Sequence, residues 1–147
     1  MKRFDVPYEI TVASAHRSPE RTRQYTHSAQ QRGLEVIIAG AGGASHLAGF
    51  IAAETVLPVI GVPIDSSPLK GIDALLATVQ MPSGIPVATM AVGRAGAKNA
   101  GILAAQILSL RRPELRDKLL DYKKELVRQV EEMERELANP TGTPNSL

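Results

Sequence analysis

The stretch that decides the fold is Glu35-Val36-Ile37-Ile38-Ala39-Gly40-Ala41-Gly42-Gly43-Ala44-Ser45-His46. Its first part, Val36–Ala39, is a short apolar and β-branched run, typical of a strand that is buried on both faces of a parallel sheet. The glycines and alanines that follow leave backbone N–H groups accessible, so a ligand can come into contact with the main chain. His46 stands where the next helix should begin. Open α/β sheets bind ligands where a strand ends in such a turn, so this stretch predicts a ligand site.

Composition excludes several classes of protein. The chain has 147 residues, 44% hydrophobic and only 3% aromatic, which favours one domain with an aliphatic core. The net charge is +2 and the basic residues are spread along the chain, so a nucleic-acid partner is not expected. The absence of cysteine excludes disulfides and thiolate metal sites. No signal-like or membrane-spanning apolar run is present, and we therefore expect a cytoplasmic protein that does not bind membranes.

Strand-like and helix-like segments alternate through residues 1–112, which we predict to form an α/β catalytic domain. The expected strands are Tyr8–Ser14, Leu34–Ala39, Leu57–Pro63 and Ile85–Val92. Helices are expected over residues 19–32, 45–56 and 94–110, and one more carries an apolar stripe that we predict to be buried: Leu69, Ile72, Leu75, Leu76 and Val79. Because no hairpin signal interrupts the alternation, the pattern predicts a three-layer domain with a parallel sheet.

The C-terminal part of the chain differs from this domain. Residues 113–138 are strongly charged, with apolar residues spaced roughly as in a heptad repeat. The pattern fits a surface helix that covers its own domain equally well as an arm that reaches a neighbouring subunit. Residues 139–147 are predicted to form a flexible tail.

A first candidate site lies between the first predicted strand and helix, at Ser14-Ala15-His16-Arg17-Ser18-Pro19. Pro19 suits the first position of a helix and Ser18 an N-cap. Free N–H groups, the helix dipole, the hydroxyls of Ser14 and Ser18 and the Arg17 guanidinium would together form an anion site. His16 could exchange protons near neutral pH. From spacing alone, an N-cap serine beside an exposed arginine and histidine is the simpler interpretation.

Two further loops carry candidate residues. The Gly40–His46 loop fits a ligand cradle and a tight turn that needs small residues about equally well, and His46 alone is more typical of a helix start than of a catalyst. The third segment is Gln80-Met81-Pro82-Ser83-Gly84-Ile85-Pro86-Val87. We interpret it as a rigid connection between a helix and a strand.

Taken together, these motifs resemble a known family. In order and spacing, the chain is similar to class I carboxyaminoimidazole ribonucleotide mutases, the small carboxylase-type enzymes of bacterial purine synthesis. The segments that carry the resemblance are Ser14–Pro19, Gly40–Leu47, Gly61–Pro63 and Gln80–Val87. The match extends to about Tyr122. The form His16-Arg17-Ser18-Pro19 is that of the mutase class, whereas the direct carboxylase class of animals has Lys and Gly after its histidine.

The resemblance implies a flavodoxin-like subunit of an octamer, with the nucleotide site at the strand carboxyl ends and between subunits, and no metal or cofactor. It implies that Ser14 and Arg17 hold the substrate phosphate and that His16 acts as acid and base. The loop residues Ala41, Gly42, Gly43 and Ala44 would enclose the imidazole and its carboxylate. His46 matches the second loop histidine of the family, and we assign it a supporting role.

One departure from the family affects these expectations. The family begins with a strand, a Gly-Ser-Xaa-Ser-Asp loop and a helix, whereas this chain starts near the end of that helix, around Phe4–Pro7. We therefore expect a sheet without its first strand and helix, and low or absent activity for the chain as written.

Two alternatives to the mutase remain open. One is another carboxylating enzyme on this scaffold, either a direct aminoimidazole ribonucleotide carboxylase or the pyridinium carboxylase of nickel-pincer cofactor synthesis. The other is a flavodoxin-like nucleotide-binding module that has lost its chemistry.

Overall fold

The structure, a computed structural model, describes residues 1–138 of the chain. Within these residues a short 3₁₀ turn, Lys2–Phe4, precedes five helices and three strands. The helices are α1 (Pro19–Ala29), α2 (Leu47–Ala53), α3 (Ile72–Val79), α4 (Gly93–Ser109) and α5 (Pro113–Ala138). The strands are β1 (Ile37–Gly42), β2 (Val59–Ile64) and β3 (Ala88–Thr89). Helices and strands alternate from α1 to α4, which confirms the predicted α/β pattern.

The three strands form one parallel sheet with β2 in the middle. β1 and β2 pair along their whole length, from Ile37 opposite Val59 to Gly42 opposite Ile64. β3 contributes only two residues, so the strand predicted over Ile85–Val92 is much shorter than expected. Two features limit it: Pro86 has no N–H for a ladder, and the chain turns into α4 at Gly93, whose φ is 72°.

Alternate residues of the sheet face two helical layers. Ile37 and Val59 pack on one side against α1 and α2. Ile60 points to the opposite side, where Ala100 and Ala104 of α4 cover it. Because side chains alternate along a strand, both faces are buried and the strands have to be apolar throughout. The predicted three-layer arrangement is therefore confirmed.

Helix α3 buries its small residues and exposes its large ones. Thr78 is 2% exposed and lies against β2 so closely that a Cβ at Gly61 would come within 2.6 Å of its methyl carbon. The predicted burial of the apolar stripe is wrong, because four of its residues are more than half exposed: Leu69, Ile72, Leu76 and Val79. The gap between α3 and the sheet has no room for large side chains, and these residues form an exposed apolar face.

The strand predicted over Tyr8–Ser14 is also wrong. Ile10 and Val12, its expected buried positions, are 83% and 82% exposed, and the segment belongs to no strand. A strand needs a neighbouring backbone about 4.8 Å away. Residues 6–13 instead face β1 across a cavity of about 580 Å³, too far for ladder hydrogen bonds. Alternating apolar residues therefore marked an extended segment without a pairing partner.

Side-chain contacts hold this extended segment in place. Arg32 donates a hydrogen bond to Glu9 over 2.8 Å, and its guanidinium carbon lies 4.6 Å from the centre of the Tyr25 ring. Just upstream, Phe4 and Val6 are buried in a cluster that α4 and α5 complete. The N-terminal residues are thus fixed to the helices rather than to the sheet.

Helix α5 has two different halves, and each fits one of the two interpretations left open above. Leu115, Leu119 and Tyr122 are buried, and the Tyr122 ring meets the Phe4 ring edge-on with centroids 5.8 Å apart. Beyond them the apolar residues of the helix are exposed: Leu126, Val127, Val130, Met133 and Leu137. The first half therefore covers its own domain, and the second half offers an apolar surface. The predicted tail, residues 139–147, lies outside the described residues.

Among the helices of residues 1–138, none combines the length and apolarity needed to span a membrane.

The close approach of α3 to the sheet gives a test of the fold. We expect Gly61→Ala to destabilise the protein by about 1–3 kcal/mol, because the new methyl group would overlap the Thr78 and Val87 side chains. Gly40→Ala in β1 is the matched control. Its nearest neighbour would be the flexible end of Ile64 at 3.5 Å, and it should stay within about 1 kcal/mol of the parent. Urea denaturation measures both, and equal stabilities would contradict the packing described here.

Candidate active site

Residues from both main motifs meet at the carboxyl edge of the sheet. Because β1 and β2 are parallel and in register, their carboxyl ends lie side by side. The loop after β1 leads through Ser45 to His46 at the start of α2, and Asp65 and Ser66 follow β2. Loops at this edge of an open α/β sheet are where ligands bind.

The segment before α1 is a tight turn with internal hydrogen bonds. The Arg17 N–H donates to Ser14 Oγ over 3.1 Å, and the Ser14 N–H donates to Ser18 Oγ over 3.2 Å. Ser18 occupies the N-cap position and Pro19 follows as the first helical residue, as predicted. The predicted capping by the Ser18 hydroxyl is not observed, because that oxygen is used by Ser14 instead. Ser14 Oγ accepts here, so its own hydrogen remains available to a ligand.

Arg17 stands at the amino end of α1 as an exposed cation. In residues 1–138, no carboxylate lies within ion-pair distance of its guanidinium. A planar guanidinium and a helix amino end are groups that commonly bind phosphate, and Arg17 offers the first at the start of α1. The anion site that the sequence suggested stays a prediction.

The glycine-rich stretch is part strand and part turn. Gly40, Ala41 and Gly42 belong to β1 and pair with β2, so the loop begins later than expected. A Cβ at Gly42 would come within 1.9 Å of Ser66 Oγ and 3.1 Å of the Ile64 carbonyl oxygen, so the glycine lets Ser66 lie over this end of the strand. Gly43 has a φ of 58°, which closes the turn. The need for small residues in a tight turn is thus real, and the same small residues leave the main chain at the sheet edge accessible.

The two predicted histidines are in direct contact. His16 Nε2 lies 2.7 Å from His46 Nδ1, and the rings meet nearly edge to face, with centroids 4.8 Å apart and an angle of 81°. Both side chains are exposed to solvent. One of the two facing nitrogens must donate and the other accept, so the contact fixes the orientation of one ring relative to the other. Neither helix alone could form this pair, which joins the α1 and α2 motifs into one site.

Ion pairs hold the two helices together behind the histidines. Glu54, just after α2, accepts hydrogen bonds from His27 over 2.6 Å and from Arg23 over 3.2 Å, both on α1. The hydrogen bond from His27, followed by that from Arg23, holds the pKa of the Glu54 carboxyl below its ordinary value. These contacts help to fix the relative position of the elements that carry His16 and His46.

Four residues at this edge were missed by sequence reasoning. Ser45 and Thr78 are buried and their hydroxyl oxygens lie 2.8 Å apart. Ser66 covers Gly42, and the Asp65 carboxyl lies beside Gly93 at the start of α4. Asp65 lies two residues after the predicted strand Leu57–Pro63, and this position was the one signal in the sequence that could have indicated it. Contacts of Ser45 with Thr78 depend on packing between distant segments and leave no trace in spacing.

The Gln80–Val87 segment has the connecting role that we predicted. Ile85 donates a main-chain hydrogen bond to Pro82 and Gly84 has a φ of 95°. The Met81 side chain packs beside Gly49 of α2. In the described part of the chain, no cluster of three or more His, Asp or Glu side chains is placed to hold a metal ion.

Comparisons with known proteins agree with the family resemblance. A family model described as AIR carboxylase matches residues 1–129. A relative from Pyrococcus horikoshii, named N5-carboxyaminoimidazole ribonucleotide mutase, is 58% identical over 137 residues, which cover 93% of this chain and 76% of the relative. The mutase of Escherichia coli, with the same name, is 53% identical over 121 residues, covering 82% of this chain and 72% of the relative. The chain thus spans about three quarters of the length of these relatives.

A solved structure supports the fold assignment. The crystal structure of Treponema denticola PurE superposes with a TM-score of 0.81 at 28% identity, over 94% of this chain and 85% of that one. The flavodoxin-like α/β fold with a C-terminal helix, expected from the sequence, is thereby confirmed.

The ion pairs between α1 and α2 predict a pH-dependent stability. A carboxyl whose folded pKa is lowered stabilises the fold above its unfolded pKa, and this contribution is lost as the pH falls through the folded pKa. We therefore expect Glu54→Gln to lower Tm at pH 7 and to match the parent at a pH below the lowered pKa of Glu54. Glu20→Gln is the control, because Glu20 pairs with Arg23 within α1 only. Thermal unfolding from pH 7 to pH 3 tests this expectation. A Tm difference between Glu54→Gln and the parent that persists at acid pH would contradict the role assigned to the Glu54 carboxylate.

Proposed function

This chain belongs to the AIR carboxylase family, and on that premise we propose that it is an N5-carboxyaminoimidazole ribonucleotide mutase of purine biosynthesis. It would move a carboxylate from the exocyclic amine of the nucleotide to the ring carbon. The observation that carries the proposal is the contact between His16 and His46, which joins the anion site before α1 to the glycine-rich turn after β1. The names of the 53–58% identical relatives favour the mutase over a direct carboxylase.

The substrate phosphate would bind at the amino end of α1. Ser14 has a hydroxyl hydrogen to donate, and Arg17 is an exposed cation beside it. Both would hold the phosphate in the same way before and during the reaction, so they supply affinity rather than rate. The bound phosphate would also fix the distance between the imidazole ring of the nucleotide and His16. In the sequence, His16 lies between Ser14 and Arg17.

The imidazole and its carboxylate would lie against Ala41, Gly42, Gly43 and Ala44. A turn without large side chains lets the main chain approach the flat ring, and N–H groups can hold a carboxylate as it moves. Such groups add no nucleophile that competes for carbon dioxide. Exclusion of water by the ring and turn would keep the released gas beside the ring carbon.

His16 would carry the proton in both halves of the reaction. The carbamate carbon–nitrogen bond breaks and carbon dioxide leaves. The exocyclic amine nitrogen of the substrate then takes a proton from the protonated ring of His16. The electron-rich ring carbon then attacks carbon dioxide, and the tetrahedral centre returns its proton to His16, which restores the aromatic ring. Acid–base help of this kind contributes about 10²- to 10⁴-fold. His46 would support the cycle by orienting the His16 ring through their hydrogen bond.

The proposal is tested by mixing the purified chain with N5-carboxyaminoimidazole ribonucleotide without added bicarbonate. Formation of the ring-carboxylated isomer, even at the low rate expected from the sequence, would support the mutase. Turnover of aminoimidazole ribonucleotide only with added bicarbonate would indicate a direct carboxylase, and binding without turnover would indicate a binding module. Either result would overturn the mutase proposal.

We also propose a homo-oligomer, with the octamer implied by the family resemblance as the expected form. Two separate apolar surfaces support it: the exposed stripe on α3 and the exposed second half of α5. Surfaces of this kind on a small domain typically mark contacts between chains.

A cytoplasmic location stays a prediction from the sequence.

Replacing the proton carrier should separate chemistry from binding. We expect His16→Asn to bind the nucleotide nearly as well as the parent and to lose at least about 100-fold in kcat, because only the acid–base group is removed. Stopped assays for kcat and calorimetry for Kd provide the two measurements. Turnover within tenfold of the parent would show that another group moves the proton.

The phosphate ligand should show the opposite pattern. We expect Arg17→Ala to raise KM by roughly tenfold or more, since charge-assisted hydrogen bonds to an anion are lost, while kcat changes little. Initial rates over a range of nucleotide concentrations separate the two constants. A large fall in kcat at unchanged KM would move Arg17 into the chemical step.

The exposed apolar faces give a test of assembly. Ile72 and Leu76 are exposed apolar side chains on the proposed contact between chains. We expect the parent chain to be oligomeric at micromolar concentration in light scattering, and Ile72→Glu with Leu76→Glu to reduce its mass, because the new charges would lie in that contact. Ile10→Glu is the control. Ile10 is also an exposed apolar residue, but it lies in the segment that faces the cavity. A monomeric parent would contradict the proposal.

A further inference from the structure

We propose that Ser45 and Thr78 are positioning residues of this active site. Their buried hydroxyl pair fixes the turn after β1 and, through it, the ring of His46 against His16. The inference rests on the proposed function for its effect on rate, but its geometric part stands on contacts within the protein. Ser45 lies in one of the four segments that carry the family resemblance, Gly40–Leu47, but no ligand or catalytic role was assigned to it there, and Thr78 lies outside all four segments.

The pair links the glycine-rich turn to helix α3. Ser45 Oγ lies 2.8 Å from Thr78 Oγ1, and the two residues are 5% and 2% exposed. The Ser45 oxygen is also 3.1 Å from the Ala41 carbonyl oxygen, and its N–H donates to the Gly42 carbonyl. A turn residue with three such contacts is held in one position, whereas the neighbouring residues Gly43 and Ala44 are more accessible.

Thr78 is itself locked from two sides. Its methyl carbon is seated over Gly61, so closely that a Cβ at Gly61 would come within 2.6 Å. Its carbonyl accepts a hydrogen bond from the Thr89 hydroxyl over 3.2 Å. The methyl contact turns the Thr78 hydroxyl away from the sheet and toward Ser45. β2 therefore sets the direction of the hydroxyl that holds the turn.

The two hydroxyl hydrogens of Ser45 and Thr78 are shared among three close oxygen–oxygen contacts. Thr78 Oγ1 is 2.7 Å from the Ala74 carbonyl oxygen, in addition to its contact with Ser45. Each hydroxyl carries a single hydrogen. Either Thr78 donates to Ala74 and Ser45 to Thr78, or Ser45 donates to Ala41 and Thr78 to Ser45. A third arrangement, in which both hydroxyls donate to carbonyls, would leave two oxygen atoms 2.8 Å apart with no hydrogen between them, and their repulsion disfavours it. In the first two arrangements the hydrogen bond between the hydroxyls is retained, and rotation of two O–H bonds interconverts them.

The fixed position of Ser45 also determines where His46 lies relative to His16. Ser45 has a φ of 48°, a conformation that costs free energy for a residue with a side chain, and its hydrogen bonds offset that cost. His46 follows immediately, and its carbonyl accepts from Phe50 in the first turn of α2. A turn released from Thr78 would let His46 shift, and the 2.7 Å contact with His16 would lengthen.

The test compares variants that remove one hydroxyl each. Thr78→Val keeps the shape and leaves Ser45 able to donate to Ala41; Ser45→Ala leaves Thr78 able to donate to Ala74, so neither strands a buried donor. Ser45→Gly removes the same hydroxyl and favours the positive φ. Thr26→Val is the matched control, because Thr26 is 1% exposed and its hydroxyl donates to the i−4 carbonyl of Thr22 over 2.8 Å, away from the turn.

We expect Thr78→Val and both Ser45 variants to lower kcat roughly tenfold with KM for the nucleotide within about twofold, since a small misplacement of a catalytic group is costly. The double variant should lose no more than either single one, because one hydrogen bond is shared. Nitrogen-15 NMR of the histidine rings, without substrate, should show altered signals for His46 and His16 in these variants. Thr26→Val should change neither kcat nor the ring signals.

The outcomes distinguish this inference from the proposed function. If Thr78→Val and the Ser45 variants behave like Thr26→Val in both kcat and the ring signals, the inference is overturned. If the parent chain does not convert the nucleotide, the proposed function fails, and the ring signals alone decide whether the hydroxyl pair positions His46. Unchanged ring signals together with a lower kcat would also overturn the inference, since the effect would then not pass through the histidines.

Discussion

The parallel pairing of β1 with β2 is the constraint on which the rest of the structure depends. Its register, with Ile37 opposite Val59, brings the carboxyl ends of both strands to the same edge and buries both of their faces. Because the strands are parallel, α2 and α3 have to start at this edge as well. The sheet therefore places the turn that leads to His46. Arg23 and His27 of α1 bind Glu54, which follows α2, and so join α1 to the end of that helix.

Small residues connect this pairing to the chemistry of the site. Gly61 lets α3 approach the sheet, which places the Thr78 hydroxyl beside Ser45. Gly42 leaves room for Ser66 at the sheet edge. The same close approach has a second consequence, because it turns the large residues of α3 outward and leaves an exposed apolar face. The packing of α3, the geometry of the candidate site and the exposed apolar face thus have one common cause.

The sequence alone predicted the parts of the fold that depend on local pattern. β1, β2 and α4 were found because apolar periodicity and capping signals are local, and the order of His16-Arg17-Ser18-Pro19 and the glycine-rich turn led to both halves of the site. Tyr8–Ser14 was predicted wrongly, because alternation does not show whether a pairing backbone is near. Contacts such as His16 with His46 depend on how helices dock, and no single-sequence pattern contains that information.

The most direct test of this account is a crystal structure of the chain with the ring-carboxylated aminoimidazole ribonucleotide. We expect the phosphate on Ser14 and Arg17, the carboxylate against the turn at Gly43, and an imidazole nitrogen of His16 within about 3.5 Å of the carboxylated ring carbon. The hydrogen bond between His16 and His46 should be retained or exchanged for one to the nucleotide. A nucleotide bound elsewhere, for example in the cavity between residues 6–13 and β1, would contradict the assignment of this edge as the active site.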